Sequence, residues 1–246
     1  MTEIYTFTKT NGQHIAAKAY IPDGDLKQNK YPLVIFSHGF GSNYRELEHH
    51  GQGFADAGVV CVFFDFCGGG QASLSDGEMT EMSVLTEQED LECVIDEVCK
   101  WDFVDETKLF MIGESMGGFV SAIVGAKIKE RIKGMILWYP AFVIPDDSKS
   151  RYVSNDNEVF GLQLSPKYNI EAKDIDINRL MKAYPGPVLL IHGDKDQIVP
   201  ISFSERAEKL YPDAKLIVIH QAGHGFDGAD SKYARHCSVE FVKEHL

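Results

Sequence analysis

The stretch LFMIGESMGGFVSAIVGAKI, residues 109–128, runs from an apolar segment through a cluster of small residues into a pattern typical of a small-residue helix. Its centre, GESMG at 113–117, is a Gly-x-Ser-x-Gly sequence. Between a strand and a helix, this sequence predicts a nucleophile elbow, a tight turn that raises a serine hydroxyl above the sheet edge. The N-terminus of the following helix favours negative charge at that point. The alternative is an ordinary strand-to-helix turn capped by serine. We expect Ser115 to be a nucleophile.

Strands and helices alternate on both sides of this elbow. Apolar and β-branched runs predict strands at 4–8, 14–21, 33–37, 59–64, 108–112, 134–138, 188–192 and 215–219. Helices are predicted at 46–57, from a capping box of Thr86 and Glu89, after Ser115, at 202–210 and up to Leu246. Such alternation implies an α/β fold with a mostly parallel central sheet and helices on both faces.

Between 141 and 184 the alternation stops in a polar segment with scattered aromatic residues, and then it resumes. We therefore predict one domain spanning 1–246, with an inserted lid at about 141–184. Because this segment follows a core strand and contains Tyr and Phe, we expect it to form a substrate pocket. The alternative is that its aromatic residues only anchor the insertion to the domain.

Charge and composition exclude several classes of partner. The chain has 246 residues and a net charge of −13, without a basic run, so nucleic acid and anionic membrane surfaces are not expected partners. Its start lacks the pattern of a signal peptide, and no apolar run is long enough to span a membrane. The five cysteines lack Cys-x-x-Cys spacing, which favours reduced thiols and a cytoplasmic location. The oligomeric state is open, with a homodimer as one option.

An elbow serine needs a histidine base and an acid that orients it, and these follow the serine in the order acid, then histidine. The stretch IHGDKDQIVP supplies Asp194 and Asp196 just beyond a predicted strand. The stretch VIHQAGHGF supplies His220 at the end of the next strand and His224 beyond it. The C-terminal strand ends of open α/β sheets carry their sites. We favour His224 as the base, and Asp196 as the acid because it has the longer reach.

A carbonyl substrate also needs two backbone N–H groups that bind the developing oxyanion. One is expected from Met116, directly after the nucleophile, and the other from Phe40 in the loop that begins at His38. The adjacent His49 and His50 lack further ligands at metal spacing, so we expect no metal and no cofactor.

These motifs give the chain a resemblance to the α/β-hydrolase superfamily over nearly its whole length. Within it, the chain is similar to bacterial cinnamoyl (feruloyl) esterases. The resemblance rests on HGFGSN, FFDFCGGG, GESMGG, HGDKDQIVP and GHGF, and in part on the segment 82–90. It implies an α/β-hydrolase fold with an inserted lid, Ser115 as nucleophile, Asp196 as acid and His224 as base. It also implies Phe40 and Met116 as oxyanion donors, and small or feruloyl-type esters as small-molecule substrates.

The chain departs from those esterases at three positions. Glu114 and Met116 stand where His and Gln are common, and Gly69 replaces a usual His. Other reactions of the same triad stay open, namely those of an acyl-thioesterase, a monoacylglycerol lipase or a small serine peptidase. A ligand-binding protein of this fold is the non-enzymatic alternative, although all three triad residues are present. A haloalkane dehalogenase is disfavoured because its nucleophile is an aspartate.

Overall fold

The computed structural model describes residues 1–246 and contains one large sheet of eight strands. Two further strands pair with each other in a separate small hairpin. The strands are β1 (Thr2–Thr8), β2 (His14–Tyr20), β3 (Tyr31–Ser37), β4 (Val60–Phe64), β5 (Val104–Glu114), β6 (Ile132–Trp138), β7 (Glu158–Val159), β8 (Leu162–Gln163), β9 (Val188–Gly193) and β10 (Ala214–Ile219).

The large sheet has the strand order β1-β2-β4-β3-β5-β6-β9-β10. The hairpin β1–β2 is antiparallel and pairs antiparallel with β4, whereas all pairs from β4 to β10 are parallel. The α/β-hydrolase fold predicted from the sequence is confirmed. Because the parallel strands point the same way, the loops after β3, β5, β6, β9 and β10 all emerge at one edge of the sheet.

Helices cover both faces of the sheet. They are α1 (Tyr44–Leu47), α2 (Gly51–Asp56), α3 (Val84–Val98), α4 (Ser115–Lys127), α5 (Ile144–Ser154), α6 (Pro166–Ala172), α7 (Ile177–Ala183), α8 (Ser202–Leu210) and α9 (Gly228–Glu244). Buried side chains of α3, α4, α7 and α8 form one core with the sheet, and those of α2 and α9 form the core on the opposite face. No helix is both long and apolar enough to cross a membrane.

Two local predictions were wrong. The helix predicted at 46–57 is broken, because α1 passes through a 3₁₀ turn at Glu48–His50 before α2 begins. At Gly51, any Cβ would overlap the ring of Tyr20, so the chain approaches β2 where only glycine fits. The capping box of α3 is also shifted, since Ser83 is the N-cap and Thr86 its reciprocal partner. The sequence contains two overlapping capping patterns, and the earlier one begins the helix.

The insertion between β6 and β9 is better ordered than its polar sequence suggests. It contains α5, the hairpin β7–β8, α6 and α7. Its apolar side chains Phe142, Tyr168, Met181 and Tyr184 are buried in the same core as α3 and α4. Much of the insertion is therefore part of the hydrophobic core.

Candidate active site

The elbow lies where β5 ends at Glu114 and α4 begins at Ser115. Ser115 has a φ of 50°, in the left-handed region that is unfavourable for residues with a Cβ. A Cβ on Gly113 would overlap the carbonyl oxygen of Gly117, and a Cβ on Gly117 would overlap that of Ser37. The two glycines of the motif thus allow the backbone contacts that hold the serine in this strained conformation.

The structure brings Ser115, His224 and Asp196 together in one hydrogen-bonded row. His224 Nε2 lies 2.9 Å from Ser115 Oγ, and His224 Nδ1 lies 2.7 Å from Asp196 Oδ2. Since a carboxylate accepts hydrogen bonds only, Nδ1 carries the proton and Nε2 is free to accept the serine proton. This arrangement matches what a serine nucleophile requires of its base and orienting acid.

Asp196 is buried and accepts hydrogen bonds at both oxygens. Its Oδ1 accepts from the N–H groups of Ile198 and Val199 at 2.9 and 2.8 Å. Its Oδ2 faces Nε2 of His192 at 3.1 Å as well as His224. Burial by itself would raise the pKa of Asp196, but the hydrogen bonds from His192 and His224 outweigh it and hold the pKa well below its usual range. The carboxylate is therefore ionised at any pH at which the enzyme would work.

His192 is a site residue that the sequence interpretation did not identify. It is fully buried at the end of β9, with Nδ1 2.7 Å from Ser204 Oγ and Nε2 2.9 Å from the Val199 carbonyl. Because Nε2 faces two acceptors, it carries the proton, and His192 donates to Asp196 Oδ2, the same oxygen that faces His224. A histidine directly before the Gly-Asp-Lys-Asp loop was the only signal in the sequence.

The second pair of candidates, Asp194 and His220, lies outside this row. Asp194 Oδ2 is 2.9 Å from His220 Nδ1, and Oδ1 accepts from the N–H of Gln221 at 2.8 Å. The His220 side chain is 82% exposed, so it is neither a core histidine nor a member of the site. Hydrogen bonding to His220 and Gln221 lowers the pKa of Asp194. The same hydrogen bonds connect the loop after β9 to the loop after β10.

The loop after β3 directs the backbone N–H of Phe40 away from His38. The Gly39 carbonyl accepts hydrogen bonds from His38 Nδ1 at 2.7 Å and from the N–H of Ser42 at 3.2 Å. In a trans peptide the next N–H points the opposite way, so Phe40 N–H is directed away from His38. That N–H donates no hydrogen bond within the protein.

Two further features concern the predicted oxyanion donors. The N–H of Met116, second in α4, has no intrahelical acceptor. His38 is buried, and its Nε2 accepts from the N–H of Phe66 at 3.1 Å. Burial lowers the pKa of His38, so the ring is neutral, and its hydrogen bonds hold the loop in place.

No group of three or more His, Cys, Asp or Glu side chains could hold a metal ion.

Two depressions meet at Ser115. A cavity of about 470 Å³ is lined by Ser115, Phe40 and Met116 and by residues of the insertion, including Ile144 and Tyr168. A groove of about 360 Å³ shares Ser115 and Phe40 with the cavity and is also lined by His224, Gly39, Glu46, Glu114 and Tyr139. Most residues that line the cavity are hydrophobic and His224 is not among them, whereas the groove has a mixed lining that includes His224 and two glutamates.

Comparison with known proteins agrees with this architecture. Residues 28–173 match the Hydrolase_4 family, described as serine aminopeptidase, S33. Among solved structures, Est1E from Butyrivibrio proteoclasticus with ferulic acid bound superimposes with a TM-score of 0.86. The two are 25% identical, and the match covers 98% of this chain and 99% of Est1E.

Relatives are also found by sequence. YfhR of Escherichia coli O157:H7 is 24% identical over 251 residues, covering 99% of this chain and 81% of YfhR. A monoacylglycerol lipase of Mycolicibacterium smegmatis is 24% identical over 238 residues, covering 81% of each chain. The chain is thus similar to hydrolases of the esterase and lipase type.

Proposed function

The chain belongs to the Hydrolase_4 family (serine aminopeptidase, S33), and within this family we propose that it hydrolyses carboxylic esters through an acyl-enzyme on Ser115. One observation carries the proposal. At the elbow, Ser115 Oγ lies 2.9 Å from His224 Nε2, and the other nitrogen of this ring lies 2.7 Å from the buried carboxylate of Asp196. The proposal assigns these residues as nucleophile, base and orienting acid.

The proposed reaction has two steps. His224 Nε2 takes the proton of Ser115 as Oγ attacks the ester carbonyl, and Asp196 stabilises the imidazolium that forms. The N–H groups of Phe40 and Met116 bind the developing oxyanion. The alcohol then leaves with the proton from His224, and a water activated by the same imidazole releases the acid and regenerates Ser115. No metal or cofactor takes part in these steps.

The two depressions receive the two halves of the ester in this proposal. The general acid must reach the leaving oxygen, and His224 lines the groove and not the cavity. The alcohol is therefore assigned to the groove, and the acyl group to the apolar cavity beneath the insertion. On this basis the insertion, 141–184, is a lid that determines acyl specificity.

The cavity supports an apolar or aromatic acyl group. Its lining includes Phe40 and Tyr168, whose rings pack edge-on against each other with 6.4 Å between their centres. Aromatic side chains in a pocket lining give an aromatic acyl group surfaces to pack against. Est1E, which shares the fold over nearly its full length, has ferulic acid bound. We therefore propose small or hydroxycinnamoyl esters as substrates.

Peptide hydrolysis is the second candidate, because the family description names a serine aminopeptidase. The same triad would act on an amide bond. Acyl-CoA is disfavoured as a substrate, since the groove is lined by the carboxyl groups of Glu46 and Glu114 and the chain has a net charge of −13. A polyanionic leaving group would be repelled from this side of Ser115.

A substrate panel tests the proposal. It contains p-nitrophenyl esters of increasing acyl length, methyl ferulate, an aminoacyl anilide and an acyl-CoA, each measured with the wild type and with Ser115→Ala. We expect Ser115-dependent hydrolysis of the p-nitrophenyl esters and methyl ferulate, and none of acyl-CoA. Turnover of the anilide above that of every ester would favour the peptidase instead. No Ser115-dependent turnover of any substrate would contradict the proposal.

A further inference from the structure

Glu114, the residue directly before Ser115, binds to two parts of the site at once. Its Oε1 accepts the N–H of Gly39 at 3.1 Å, and its Oε2 accepts the hydroxyl of Tyr139. Gly39 is joined to Phe40, and a Cβ placed on Gly39 would lie 3.4 Å from both Glu114 Oε1 and Ser115 Cβ. One carboxyl group therefore connects the loop after β3 to the end of β6.

Tyr139 connects this carboxyl group to the histidine. Its ring packs edge-on against His224, with 4.8 Å between the ring centres, and its hydroxyl bonds to Glu114. Tyr139 follows β6 with a φ of 35°, a conformation that costs free energy for a residue with a Cβ. Residues are held in such strained conformations where the surrounding structure requires them, often at functional sites.

The charged and titratable groups around Glu114 come from several elements. They are Tyr139 after β6, His224 in the loop after β10 and Glu46 in α1, and the charge of Asp196 acts on Tyr139. The pKa of Glu114 is raised by burial, and the hydrogen bonds from Tyr139 and Gly39 and the charge of His224 offset this rise only in part. Two hydrogen-bond donors directed at the two oxygens favour the ionised carboxyl group. Among these neighbours, His224 is the group that becomes a cation during the proposed reaction.

We propose that Glu114 is a positioning residue that, as a carboxylate, fixes the Gly39–Phe40 peptide over Ser115 and stabilises the imidazolium of His224. The proposal rests on the hydrolase mechanism given above. It assigns a role to the position at which this chain has Glu instead of the His common in similar esterases. Glu114 itself does not touch the reacting atoms, because it acts through Gly39 and Tyr139.

Two substitutions separate the two parts of this role. Glu114→Gln removes the charge and keeps an oxygen for the Gly39 N–H, while its amide NH₂ faces the Tyr139 oxygen and reverses that hydrogen bond. Protonated His224 then loses a favourable neighbour, so the acid limb of the kcat/KM profile should move to lower pH by roughly 0.5 to 1 unit. Glu114→Ala also leaves the Gly39 N–H unpaired, and kcat should fall about 10- to 100-fold while KM stays within about threefold.

The measurement is a pH–rate profile with p-nitrophenyl acetate for the wild type, Glu114→Gln and Glu114→Ala. Glu240→Gln, which removes one exposed charge on α9, is the matched control and should leave the profile unchanged. An acid limb at the same pH in the wild type and Glu114→Gln, or a kcat loss below about twofold in Glu114→Ala, would overturn the inference. The inference alone fails if either result occurs while Ser115→Ala is inactive, whereas an active Ser115→Ala would refute the proposed function itself.

Discussion

Asp196→Asn is expected to disable the site without unfolding it, because the four hydrogen bonds of the carboxylate leave no suitable position for an amide NH₂. Oδ1 faces the N–H groups of Ile198 and Val199, so a nitrogen there would place donors against donors. The amide nitrogen must therefore face His224, which lies 2.7 Å from Oδ2. His224 Nδ1 then has to accept a hydrogen bond, and the proton moves to Nε2.

With its proton on Nε2, His224 cannot take the proton of Ser115. The equivalent change in a serine protease lowers kcat about 10⁴-fold, because the histidine is held in the wrong tautomer. This loss corresponds to about 5.4 kcal/mol in the activation free energy. We expect a loss of that order in kcat for Asp196→Asn, with KM nearly unchanged because Asp196 lines neither depression.

The assay is steady-state hydrolysis of p-nitrophenyl acetate, with circular dichroism as the check on folding. Asp194→Asn is the matched control, since Asp194 is two residues away but bonds only to His220 and Gln221. It should keep activity within about threefold of the wild type, as expected for an exposed pair of this kind. Equal losses in the two variants, or the larger loss in Asp194→Asn, would refute the assignment of Asp196.

Three further results are expected. Ser115→Gly should melt about 1–3 °C above Ser115→Ala, because glycine adopts the φ of 50° without strain; equal melting temperatures would show that the elbow is unstrained. Burial raises the pKa of Glu87 far above its usual range, so folding takes up a proton there and stability falls as the pH rises above 4.5, the ordinary pKa of a glutamate. Glu87→Gln should therefore gain melting temperature relative to the wild type between about pH 5 and pH 8, and a difference that does not change with pH would contradict this. Replacing the hairpin 158–163 by two glycines should keep p-nitrophenyl acetate turnover within about threefold and lower that of methyl ferulate at least about tenfold, whereas an unchanged substrate ranking would argue against the lid.

The fold and the proximity of Ser115, Asp196 and His224 could be predicted because each depends on local sequence. Ser115 lies in a motif whose glycines are required by backbone contacts, and His224 and Asp196 each follow a strand that is recognisable from its apolar run. Strand ends of a parallel sheet meet at one edge whatever the details of packing. The order of the motifs along the chain therefore sufficed to predict which residues lie close together.

The supporting residues could not be predicted, because their partners are distant in the sequence. Glu114 ends β5 and Tyr139 follows β6, and their contact is made with a strained backbone at Tyr139. His192 resembles any buried strand residue until the loop after β9 folds back and brings Asp196 to its Nε2. The order within the insertion was missed for a related reason, since its apolar residues are too scattered to show a helical period.

Trapping of the acyl-enzyme tests the central claim most directly. The protein is mixed with p-nitrophenyl acetate, quenched in acid within the first turnovers, and examined by intact mass and peptide mapping. The account predicts a mass increase of one acetyl group located on Ser115, and its complete absence in Ser115→Ala together with a loss of turnover on the order of 10⁶. An acetyl group on another residue, or turnover by folded Ser115→Ala above a few per cent of the wild-type rate, would contradict it.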